Sequence, residues 1–214
     1  MGYITVDNLG NITKYSDFDF EDSISLNDEA LCALIKNDIV GYKFINSQIE
    51  YHQRPTRYHR WTGIDWVHDS TLVTTAKEEM WEKIKLYRDT HKYKGVKITV
   101  NSVDYWIHSD EVSRIQHLGL LGVAILHVFK TFFGVTQFES FPEDLYWKTL
   151  GSNNLGEPVF VLMTWVVALQ IFAADMKLEA ACFGKAEYHR MMLIASSDPY
   201  NYDYTTGWPA VFGD

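Results

Sequence analysis

One stretch of this chain limits its fold more than any other. Thr164 can cap a helix, and no proline follows until Asp198-Pro199, so the pattern predicts one helix from Trp165 to about Ser197. That is about 33 residues, or about 50 Å at ~1.5 Å per residue. Trp165, Leu169, Phe172, Met176, Ala180, Phe183, Glu187 and Met191 recur along it at three- and four-residue spacing, like a coiled-coil seam broken at Glu187. A rod of that length is hard to cover with the rest of one small domain. Two readings stay open: burial against a neighbouring helix of the same chain, or a seam between subunits.

The remaining chain has enough apolar material for a core: 47% of its 214 residues are hydrophobic. A chain of this size should bury roughly 70% of the surface exposed when unfolded. The net charge of −9 is spread along the sequence, which argues against a phosphate-backbone partner. Cys32 and Cys182 lie in apolar, helix-like stretches and read as buried thiols, with no disulfide or zinc spacing. Ile115 to Phe129 and Val159 to Ala174 carry no Asp, Glu, Lys or Arg. Each is shorter than the ~20 residues a membrane span needs, so both are expected to be buried segments and no membrane insertion is expected. Met1 to Asp7 lacks the basic start and apolar block of a signal peptide, which implies synthesis in a cytoplasm.

Local patterns divide the chain at about residue 73. In residues 1–73, β-prone runs flank Asn8-Leu9-Gly10-Asn11, giving a first hairpin. Asn27 can cap a short helix from Glu29 to Lys36, and a second hairpin turns at Asn46-Ser47-Gln48. Residues 52–73 read as an aromatic, locally basic loop. In residues 74–214, Thr75 to Glu78 can form a capping box for a helix that Gly95 stops near Lys94. A hairpin follows, from Val96 to Val100 and back from Val103 to His108. Ser109-Asp110-Glu111 starts another helix, in which Gly119 and Gly122 cost stability and imply close approach of another backbone. Leu145 to Leu150 and Val159 to Met163 make a further hairpin before the long helix. The tail from Tyr200 to Pro209 is too aromatic for a free coil and should dock on a surface. The fold class is α+β: a small β-hairpin and helix module, then a helix-hairpin-helix-hairpin-long helix domain.

Catalytic patterns are weak. Glu78, Glu79 and Glu82, or Asp110 with Glu111, are acids at helix starts, where capping and the helix dipole account for them. His52, His59 and His68 share a loop with Asp65 and Asp69, but lack the spacing of a known zinc motif. No metal and no cofactor is expected, and the chain reads as a binding protein, not an enzyme. Tryptophans are its main chemical resource, either filling core and interface or stacking on sugar rings.

Several of these words occur together in a known order. Trp81, Lys83-Ile84-Lys85, Arg88-Asp89 and Gly95-Val96 are followed by Val103-Asp104-Tyr105-Trp106-Ile107-His108-Ser109-Asp110, Trp147-Lys148-Thr149 and Met163-Thr164. Ala186-Glu187-Tyr188-His189, Asp198-Pro199-Tyr200, Tyr202-Asp203 and Gly207-Trp208-Pro209 close the series. Residues 75–214 thereby resemble a domain of unknown function found in bacteriophage tail proteins. The resemblance implies a structural component of the tail fibre or baseplate, or a fibre assembly factor, made in the host cytoplasm and carried in the virion tail. No catalytic residues come with that family. The implied partner is a fibre or baseplate protein, or a further copy in a homo- or hetero-oligomer. The alternative is a host-receptor module that binds surface polysaccharide. Partner contacts are expected at Trp106, Trp147, Phe172, Met176, Phe183, Tyr202 and Trp208, and glycan stacking, if any, at Trp61 and Trp66.

Overall fold

A computed structural model describes residues 1–19 and 21–214. The fold is α+β, with short antiparallel sheets and four α-helices among the described residues. Packing divides it into two units, Met1–Ala76 and Lys77–Asp214.

In the first unit, β1 (Gly2–Val6) and β2 (Ile12–Ser16) form the expected hairpin. Asp7 fixes its turn by accepting bonds from the Leu9 and Asn11 amides. A third strand the sequence pattern did not suggest, β3 (Ile24–Leu26), pairs with the other edge of β1. Helix α1 (Glu29–Asn37) is capped by Asp28, one residue later than the expected Asn27, because the Asp28 carboxylate reaches the amides of Ala30 and Leu31. Ile35 and Cys32 of α1 close a core with Ile4, Ile12 and Leu26. β4 (Tyr42–Ile45) and β5 (Gln48–Tyr51) pair around Asn46 and Ser47, both with positive φ, the twist a two-residue hairpin needs. The expected loop over residues 52–73 is also structured. β6 (His59–Trp61) and β7 (Trp66–His68) form a hairpin held by aromatic side chains, which substitute for a longer alternating pattern.

Helix α2 (Ser70–His91) starts four residues before the expected Thr74. The capping box at Thr75 therefore does not form. Asp69 does the work, accepting from the backbone amide and hydroxyl of Thr71. In the second unit, β8 (Val96–Val100) and β9 (Val103–Ile107) turn at Asn101 and Ser102, again with positive φ. Asp110 caps α3 (Glu111–Phe133), and Gly134 ends it in the left-handed conformation. β10 (Tyr146–Ser152) pairs with β11 (Pro158–Leu162). Thr164 then caps α4 (Trp165–Ala195) through its hydroxyl, close to the expected span.

The core of this unit lies where both hairpins and α3 meet α4. Ile98 and Ile107 from one hairpin and Val161 from the other pack on Val167, Ile171 and Leu178, with Ala124 from α3 and Val211 from the tail. The inward stripe of α4 runs Val167, Ile171, Asp175, Leu178, Cys182, Ala186, His189 and Leu193. The expected seam lies on the neighbouring flank: half-buried at Trp165, Leu169 and Phe172, open at Met176, Ala180, Phe183, Glu187 and Met191. The helix is apolar on most sides, so spacing alone does not single out a face. The polar Asp175 and His189 point inward because each finds a partner there.

Gly95 joins α2 to β8 at φ +126, where a Cβ would lie 2.4 Å from Leu150 Cδ1 and 3.2 Å from the Ile107 carbonyl oxygen. Gly95→Ala should therefore cost about 1–3 kcal/mol. Ile171→Ala, which empties a fully buried site, should cost about 2–5 kcal/mol. Chemical denaturation of the two variants checks both.

Candidate protein-binding surface

Three sets of contacts fix the helices of the second unit and thereby decide which apolar faces remain open. The first is a carboxylate clamp on Glu179. Lys92, just beyond the end of α2, donates to Glu179 Oε1 at 2.9 Å, and Arg114 in the first turns of α3 donates to Oε2. Arg114 also donates through Nε to the Ser109 carbonyl at 2.8 Å and through a terminal nitrogen to the Lys92 carbonyl at 3.1 Å. Burial pushes the Glu179 carboxyl up, but the two cations outweigh it and hold it below the usual carboxylate range. The second set is a buried pair. His117 Nδ1 of α3 donates to Asp175 Oδ2 of α4 at 2.7 Å, with the Trp147 ring 5.7 Å from the imidazole.

The third set holds the tail, which docks as the sequence suggested. Tyr200 donates its hydroxyl to Glu79 at 2.6 Å, Trp208 Nε1 donates to the Tyr204 carbonyl, and His91 Nε2 donates to the Pro209 carbonyl. His189 lies at the centre. Its Nε2 must carry a hydrogen, because its partner there is the Thr206 carbonyl at 3.1 Å. In the neutral ring Nδ1 then accepts the Tyr202 hydroxyl proton at 2.7 Å. Trp208 stacks on the same ring at 5.5 Å, with Tyr87 and His91 on its other sides.

With the inner contacts assigned, the outer faces can be read. On α3 the inward residues are small or polar: Ser113, His117 and Ala124 are buried. The large ones point out. Val112, Ile115, Leu118, Val123, Ile125, Leu126, Phe129, Phe132 and Phe133 are 37–68% exposed. This overturns the expectation that Ile115 to Phe129 is a buried segment. Arg114 and His117 are bonded to α4, and those bonds set the rotation of α3, so its apolar residues have no place inside. The helix is also longer than the charge-free run that lies within it. Among the described residues it is one helix of sufficient length and apolarity to cross a membrane. The second open face is the α4 flank, where Met176, Met191 and Ile194 are exposed.

The expected partner residues are distributed, not gathered. Phe172, Met176 and Phe183 share the α4 flank, with the Arg88 guanidinium 4.3 Å over the Phe183 ring. Tyr202 and Trp208 meet at His189 and hold the tail, leaving each partly covered by its own chain. Trp106 packs edge-on against Phe212, and Trp147 packs on the core beside His117. For the glycan reading, Trp61 fails: it is 2% exposed and donates Nε1 to the Leu9 carbonyl, so no sugar can stack on it. Trp66 is half-buried, with Lys43 Nζ 4.5 Å from its ring centre and Nε1 donated to the His52 carbonyl. The outer residues of α3 went unmarked as a surface. Their signal was the reverse stripe, Ser113, His117 and Ala124, at the same helical spacing. Among the described residues, no three His, Cys, Asp or Glu side chains gather as a metal site would require.

No family model, curated protein or solved structure matches the chain.

Burial holds the His189 imidazole below its ordinary pKa of 6.5. The unfolded chain therefore takes up this proton first, and stability fully present above about pH 6.5 is lost as the pH falls below that value toward the lower pKa of the folded state. Trp208 fluorescence should report loosening of the tail in mild acid, and His189→Gln should flatten this dependence. An unchanged acid profile in the variant would assign the effect to another group.

Proposed function

We propose that the chain is a non-enzymatic bacteriophage tail protein: a structural component of the tail fibre or baseplate, or a fibre assembly factor. It acts by binding protein. The observation that carries this reading is the open flank of α4, where Met176 and Met191 are exposed on either side of Phe183, itself about half open beside Arg88. Unbranched methionines suit such a surface, because they adapt to the shape of what they meet. The closing sequence words that resemble phage tail proteins, Ala186-Glu187-Tyr188-His189 and those from Asp198 to Pro209, fall on this same helix and the tail docked on it. The partner on this reading is a fibre or baseplate polypeptide, met in the host cytoplasm and kept or released at the virion tail.

The tagged chain should co-purify with a fibre or baseplate polypeptide from infected cells. Met176→Glu with Met191→Glu should weaken that capture at least about tenfold, ~1.4 kcal/mol, while leaving the melting temperature near that of the parent. Fibres that fold and trimerise normally without the protein, together with purified virions that lack it by mass spectrometry, would sink the reading.

A further inference from the structure

The outer face of α3 is too large and too apolar to be ordinary surface. At 37–68% exposure, about half on average, and at roughly 150–200 Å² for each open residue of this class, its nine large residues leave on the order of 800 Å² in solvent. The largest apolar patch of a typical monomer covers ~300–600 Å². One partner in a stable interface contributes ~800 Å². The face is therefore about as large as one half of such an interface.

Its sequence is also self-complementary. The point midway between Gly119 and Gly122 is also midway between Leu118 and Val123, between Ile115 and Leu126, and between Val112 and Phe129. It is midway between Glu111 and Lys130 as well. A two-fold axis through that point lays α3 antiparallel on α3 of a second copy. Six of the nine large residues then meet one another, Val112 with Phe129, Ile115 with Leu126 and Leu118 with Val123, while glycine meets glycine and Glu111 meets Lys130. Oppositely directed helix dipoles favour the same arrangement. A Cβ built on Gly119 or Gly122 meets nothing within 4 Å, so no described residue uses the space these glycines leave. Without side chains at the crossing, two backbones can approach closely. In a two-fold interface one patch serves both sides, and this patch has the pairing that symmetry demands.

We infer that the outer face of α3 is an interface between two copies of this chain, packed antiparallel about the Gly119–Gly122 crossing. A lipid occupant fits less well. Arg114 and His117 tie α3 to Glu179 and Asp175, and α4 carries Lys177 and Glu187 in the open, charges a bilayer would have to accommodate. This inference does not rest on the tail-protein reading.

Sedimentation of the purified whole chain at micromolar concentration should give twice the chain mass. Leu118→Arg and Val123→Arg lie on the open face, so each should leave the circular dichroism unchanged and weaken association at least tenfold. The pair Leu118→Cys with Val123→Cys should cross-link between copies under mild oxidation, whereas the parent, whose two cysteines are buried, should not. Glu111→Lys and Lys130→Glu should each loosen the dimer, and the two together should restore it, an outcome a parallel pairing cannot give. A monomeric parent at these concentrations would overturn the inference. So would a dimer that survives both arginine variants, or a chain that floats with phosphatidylcholine vesicles and loses that binding in Leu118→Arg. A monomer that still captures a fibre polypeptide would sink this inference alone; a dimer that captures none would sink only the tail-protein reading.

Discussion

The second unit depends on one carboxylate. Glu179 lies near the middle of α4 and receives Lys92 from beyond α2 and Arg114 from α3, so a single side chain brings three helices into register. Arg114 also bonds the Ser109 and Lys92 carbonyls, which fixes the short connections around β8 and β9. Partly buried ion pairs of this kind add modest net stability, but breaking one leaves a charge without its partner. Their larger effect here is orientation. With Arg114 held on Glu179 and His117 on Asp175, the rotation of α3 is set, and its large apolar residues are left outside.

That constraint explains the allocation of surface. A helix normally turns its apolar stripe inward because burying it lowers the free energy of the fold. In α3 the residues facing α4 are Ser113, His117 and Ala124, and the small size of Ala124 lets the backbones come close. The opposite side holds more apolar area than the inner side can use. On α4 the same competition is milder, because Ile171, Leu178 and Leu193 fill the core while Met176 and Met191 remain open. The aromatic tail occupies the surface around His189 and leaves the α4 flank uncovered.

Much of this was legible in the residues. Capping side chains placed α3 and α4, since Asp110 and Thr164 satisfy free amides within a few bonds of themselves. Turn residues placed three hairpins for the same local reason. The tail docked because tyrosines and a tryptophan do not stay in water when a groove offers bonds for their polar ends. Where the reading failed, the deciding partner was distant or the pattern degenerate. β3 is three residues long and exists only because β1 has a free edge. The strands at His59–Trp61 and Trp66–His68 carry no alternating pattern. Trp61 looked like an open platform until the Leu9 carbonyl, 52 positions away, accepted its indole hydrogen.

Sequence alone determined the α+β class, the start of α3 and the length of the final helix, because each follows from neighbours within a turn or two. Only the tertiary structure decided which side of α3 and of α4 faces the core. That choice is made by Arg114 with Glu179 and by His117 with Asp175, pairs separated by more than fifty residues; on α3 the small and polar stripe Ser113, His117 and Ala124 hints at it, but only the distant partners make those residues the inner side.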